Sequence, residues 1–217
     1  MSTFKGPMSV KGAWNHKSVA AGTGAITLTE IVDANGNMSA ATAPRPAVTA
    51  EHGAGAIGSG TQTAPQTRRW TENGVIVTQI KFDITGFGVL GTAADEVIGL
   101  VAGGVAYIGQ NVVATNGIIF RAELSCIEVP GQGTATITQD IDIATAASGT
   151  LEKDGDGTSA RLINTAALVA GETVVNNAPA VTANHYYYVV SADTAATTGV
   201  YNAGQFILTT YGHPLLT

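Results

Sequence analysis

The residues of this chain whose types invite a search for chemistry are four histidines, one cysteine and a few acidic pairs. His16, His52, His185 and His213 each lack a second ligand at metal spacing, and the sequence holds no H-x-x-x-H and no C-x-x-C. They read as loop or strand-edge histidines. Asp154-Gly155-Asp156-Gly157-Thr158 opens like a calcium loop, but that pattern needs Gly at its sixth place and Glu at its twelfth. Ser159 and Thr165 stand there instead, so an acidic turn is the expectation. Asp140 and Asp142 lie two apart on an alternating stretch and so share a strand face. Glycosidases place two carboxylates on a β scaffold, yet sugar sites bring aromatic platforms and aromatics are only 6% of this chain. An acidic solvent face is the simpler reading.

Nucleophile motifs are equally poor. There is no G-x-S-x-G elbow, and Gly58-Ser59-Gly60 lies in a low-complexity stretch. Cys126 is the one cysteine, which excludes an intrachain disulfide and reads as a small buried hydrophobe. The Gly-x-Gly strings at 53–55, 86–88 and 131–133 precede no helical pattern, so none marks a phosphate cradle. The expectation is a protein that is not an enzyme, with no catalytic residue, no metal and no cofactor. What remains are residues suited to contact: Phe4, Val10 and Trp14 near the start, Arg68, Arg69 and Trp70, and the tyrosines Tyr186 and Tyr188 of a Tyr-Tyr-Tyr run. Tyrosine is enriched at interfaces because it buries area and keeps a polar end. The competing expectation puts Tyr187 in the core and its neighbours on the outer sheet.

The elements that position these residues are strands. In Val75–Ile84 the residues Ile76, Ile80, Phe82 and Ile84 alternate with Gln79, Lys81 and Asp83, one apolar and one wet face. In Ile119–Cys126 the residues Phe120, Ala122, Leu124 and Cys126 alternate with Ile119, Arg121, Glu123 and Ser125. Residues 25–32, 105–108, 135–143, 186–190 and 205–211 add further short strands; 162–169 and 172–175 are strand or single turn. Ala93–Leu100 suits about one helical turn, and Asn116-Gly117 suits a hairpin turn into the Ile118 strand. Eight to ten short strands without a long helix predict an all-β antiparallel sandwich of jelly-roll type.

Residues 1–25, with Gly6-Pro7, Gly12, Gly22 and Gly24, read as an extended N-terminal arm, and 26–217 as one sandwich domain. Within it, residues 38–67 form a long Ala/Gly/Pro-rich loop too poor in apolar side chains to order itself unaided. Only 12% of residues are charged, about half the usual share. That surface suits a shell or assembly. Net charge is −6. Residues 1–73 hold six basic and four acidic side chains; 74–217 hold four against twelve. An acidic body argues against nucleic acid. No apolar run reaches the ~20 residues of a membrane span, and the N-terminus lacks a signal peptide's apolar core, so no membrane partner is expected.

The pieces FKGPMSVKGAW, VTQIKFDITGF, VAYIGQ, NGIIFRAELSCIEVP, DIDI and GVYNAGQFILTTYG together resemble a family of tailed-bacteriophage virion proteins taken for capsid decoration or cement proteins. The likeness runs over most of 74–217 and part of the first twelve residues. It implies a β-sandwich on the outside of a capsid, made in the host cytoplasm, bridging or capping the major capsid protein and stabilising the shell. Neighbouring copies of itself, as a homotrimer, are a further implied partner. A receptor- or glycan-binding head or fibre module is the alternative, with contacts on Tyr186, Tyr188 and the loops instead of the arm.

Overall fold

The computed structural model describes residues 51–59, 64–91, 93–132, 138–155, 160–191 and 197–215, and the backbone alone of 15–19, 26–30 and 132. Phe4, Val10 and Trp14 lie outside the described residues, as does most of the low-complexity stretch. Two compact units divide the chain, Met1–Thr49 and Ala50–Thr217. In the first, β1 (Asn15–Val19) and β2 (Ile26–Glu30) form an antiparallel pair from Asn15 opposite Glu30 to Val19 opposite Ile26.

The second unit is an antiparallel β-sandwich. Its strands are β3 (Gln66–Glu72), β4 (Val75–Asp83), β5 (Phe87–Val89), β6 (Gly99–Leu100), β7 (Tyr107–Gln110), β8 (Ile118–Gln132), β9 (Ile141–Ala146), β10 (Arg161–Ile163), β11 (Thr173–Asn176), β12 (Tyr186–Ser191) and β13 (Gly199–His213). The larger sheet runs β11-β8-β13-β4-β3, with β5 on β13 and β6 on β5; the smaller runs β10-β9-β12-β7. Two-residue periodicity puts Ile80, Phe82, Leu124, Cys126, Phe206 and Leu208 on the inner face of the large sheet. They meet Ile108, Ile141, Ile143, Tyr187 and Val189 of the small sheet in one core cluster. Phe82 and Phe206, register partners, stack with centroids 5.4 Å apart.

Three local expectations change. Residues 93–100 contain no helical turn; Gly99–Leu100 is β6, and the buried Glu96 carboxylate accepts the Gly91 and Ala93 amides at 2.6 and 3.0 Å. Asn116-Gly117 does not close a hairpin, because β7 and β8 belong to different sheets. The connection is one helical turn, α1 (Val113–Asn116), ended by Gly117 at φ +72. A Cβ there would stand 2.4 Å from the His213 carbonyl oxygen, so both backbone conformation and space demand glycine. Finally, β8 slips against β13 between the pairs Arg121–Tyr211 and Ile119–Gly212. A one-residue slip exchanges faces: Ile119 enters the core, while Phe120 leaves it and stacks on His213 at 4.3 Å.

Replacing Phe206 with Ala removes half of the central stack from a fully buried position. The prediction is a loss of about 3–5 kcal/mol in unfolding free energy, read from urea titration. A loss below about 1 kcal/mol would show that this pair does not sit in a packed core.

Candidate interaction surface

The outer face of the large sheet is built by register. Trp70, Val77, Tyr211 and Arg121 stand side by side across β3, β4, β13 and β8. Arg68, Gln79, Thr209, Glu123 and Val175 form the next row, and Gln66, Lys81, Ile207, Ser125 and Thr173 the third. The rows tie laterally. Arg121 pairs with Glu123 and lies 5.4 Å from the Tyr211 ring centroid; the Tyr211 hydroxyl donates to Glu123 at 3.0 Å. Burial first, and the Glu123 carboxylate second, raise the Tyr211 phenol above its ordinary range. Ser125 and Thr173 hydroxyls meet at 2.9 Å. Flanked by Trp70 and Tyr211, Val77 is buried although it points outward.

Of the expected contact residues, Arg68 and Trp70 share this face, and Trp70 is 42% exposed. Arg69 does not join them. Alternation turns it to the inner side, where it pairs with Glu51 at 2.8 Å and holds that carboxyl below its usual range against the opposing effect of burial. A signal for this was present in the sequence, since adjacent residues on a strand cannot face the same way.

The tyrosines require a correction. Tyr188 is fully buried and offers no surface; Tyr186 is half-buried. The loop after β9 covers that side of the small sheet. Ser148 accepts the Tyr188 hydroxyl at 2.8 Å, and Gly149 packs so closely on the Tyr186 ring that a Cβ would meet it at 2.6 Å. Tyr186 and Tyr188 therefore belong to a second apolar cluster with Val97, Ala106, Ala144, Ala146 and Val190. Asp140 and Asp142 likewise form no acidic solvent face. Asp142 is buried, lies 3.4 Å from the Arg161 guanidinium and accepts the Thr165 amide at 2.7 Å. Thr165 also donates its hydroxyl to Asp140 at 2.9 Å. The segment Arg161–Thr165 tethers both carboxylates, which are structural. Cys126 is buried, and burial, then Glu172 and Glu128, push its thiol up.

Sequence reasoning missed the apolar end of the sheet. Gly74, Ile118, His213, Pro214 and Leu215 line a shallow groove of about 500 Å³, with Ile118 and Leu215 more than half exposed. Beyond the β8 slip Ile119 is buried and Ile118 is exposed on this groove, and no periodicity signals a slip. Among the described residues no group of three or more His, Cys, Asp or Glu side chains could hold a metal ion, and no helix is long and apolar enough to cross a membrane.

No family model and no curated protein matches the chain. Among solved structures it is similar to a chain described as "Capsid of Ralstonia phage GP4", at 20% identity and a TM-score of 0.36, over 64% of this chain and 86% of that one.

Buried phenols set the alkaline limit of this unit. Burial pushes Tyr188 up to about 12 from an ordinary value of 10.0, and raises Tyr187 and Tyr201 as well. The unfolded chain releases these protons near pH 10, so above that pH the folded state binds more protons than the unfolded one. Stability contributed by neutral phenols is complete below about pH 10 and falls as pH rises towards 12. Tyrosinate absorbance from these residues should therefore appear together with loss of β ellipticity; titration of Tyr188 in a fully folded chain would contradict its burial.

Proposed function

We propose that the protein is a structural component of a tailed-phage virion, bound to the outer capsid surface as a decoration or cement protein that bridges or caps major capsid protein subunits. The observation that carries this reading is the outer face of the large sheet. It is a broad array of five strands on which Trp70, Val77, Tyr211, Ile207 and Val175 lie among hydroxyl, amide and arginine side chains, with the Arg121 and Glu123 charges paired to each other. Aromatic and arginine side chains on an open sheet face suit contact with protein. The sequence resemblance to virion proteins points the same way. The glycan-binding alternative loses support, because the tyrosines on which it relied are packed under the loop after β9.

On this proposal Arg68 and Trp70 contribute from the sheet, and Phe4, Val10 and Trp14 act as apolar anchors of an N-terminal arm laid on the lattice. Many copies on one shell make weak single contacts strong in aggregate. The test is cosedimentation of the purified protein with capsids that lack it. Saturable, stoichiometric uptake is expected, and deletion of residues 1–24 should abolish it while the β ellipticity of the remaining chain persists. Absence of uptake by the intact chain would refute the capsid reading; retained uptake by the deletion would remove the arm from it.

A further inference from the structure

Strand β3 is the edge of the large sheet: among the described residues it pairs with β4 alone, and six of its seven residues are exposed. The Asn73-Gly74 turn, with φ of +50 and +78, has the two left-handed residues of a type I′ hairpin. In such a turn the flanking residues Glu72 and Val75 form a hydrogen-bonded pair. Hydrogen-bonded and non-hydrogen-bonded pairs alternate along an antiparallel ladder. Trp70–Val77 and Arg68–Gln79 are thus also hydrogen-bonded pairs, and the main-chain N–H and C=O groups of Thr67, Arg69 and Thr71 point off the edge. These seven residues carry neither proline nor lysine, devices by which proteins blunt an edge.

Side-chain order along the same strand is self-complementary. Arg68, Trp70 and Glu72 share the outer face, with opposite charges placed symmetrically about the tryptophan. We propose that β3 pairs antiparallel with β3 of a second copy of this chain, about a two-fold axis through Trp70. In that register Arg68 of each copy faces Glu72 of the other, and the two Trp70 rings face one another in a non-hydrogen-bonded pair, the type that brings side chains closest. Arg69 and Thr71 of opposite copies exchange both main-chain bonds. A register centred one residue earlier sets Arg69 opposite Arg69 and loses both charge pairs. An isologous interface of this kind closes with two copies and makes the two large sheets continuous. It stands whether or not the protein is bound to a capsid.

Sedimentation equilibrium of the full chain tests the pairing. The expected result is a dimer, with its dissociation constant raised about tenfold or more in Arg68→Glu and in Glu72→Arg, each of which opposes like charges twice. Mixing these two variants should restore a dimer, because every Arg then faces a Glu. Thr71→Pro, which removes an outward N–H without touching a charge, should weaken it independently. A monomeric or trimeric wild-type chain overturns the proposal, as does an edge taken up only by a capsid protein. A dimer indifferent to the charge variants and to Thr71→Pro overturns it equally.

Discussion

The fold of the second unit depends on one ladder, the pairing of β13 with β8 on one side and β4 on the other. Strands this long carry two faces whose identities are set by count alone, so every slip in register reassigns what is buried. Three of the slips between β8 and β13 fall between Tyr201 and Phe206, and the other beside Gly212. In the regular stretch between, Ala122, Leu124 and Cys126 oppose Thr210, Leu208 and Phe206, and the core is continuous. At the irregular end near Gly204, whose φ is +140, a Cβ would stand 2.7 Å from Ile84, so the close approach of β13 to the core there requires glycine.

This explains which parts of the structure were legible in the sequence. The apolar side of Val75–Ile84 follows its alternation because β4 pairs without a slip, and Ile80, Phe82 and Ile84 are buried; Asp83, expected on the wet face, is buried instead and accepts the Thr85 amide at 2.8 Å. Asn73-Gly74 turns as its residue types require. Ile119 and Phe120 exchange the faces that alternation predicts, because a bulge leaves no mark on periodicity. The loss of the Asp140–Asp142 solvent face has a different cause. β9 is buried on both sides: Ile141 and Ile143 enter the main core, while Asp142 shares the other, covered face with Ala144 and Ala146 and is paired there with Arg161.

Tyr186–Tyr188 makes the same point about coverage. Period-two reasoning correctly separates Tyr187 from its neighbours, and Tyr187 does enter the main core. It cannot say whether the second face is wet. Here a loop containing Ser148, Gly149 and Leu151 lies over that face, and its polar and glycine-rich composition resembles that of any solvent-exposed turn. What makes it a lid is the match between a Tyr hydroxyl and a main-chain carbonyl 40 residues apart, a tertiary fact with no local signature.

The contact surface follows from the asymmetry that this coverage creates. The small sheet has its outward face overlaid, so among the described residues the broad uncovered face belongs to the large sheet, where Trp70, Val77, Tyr211 and Arg121 lie in one row. At the end of that row the β3 edge presents opposite charges on either side of a tryptophan. Charge on an edge strand discourages indiscriminate pairing, because most incoming strands would meet it with an uncompensated side chain. The same charges admit a partner whose sequence reverses their order, and an antiparallel copy of QTRRWTE does so by symmetry. Protection against aggregation and selection of a partner are thus met by one arrangement, and Arg69, turned inward onto Glu51, leaves the outer side of β3 its balance of one positive and one negative charge, Arg68 and Glu72.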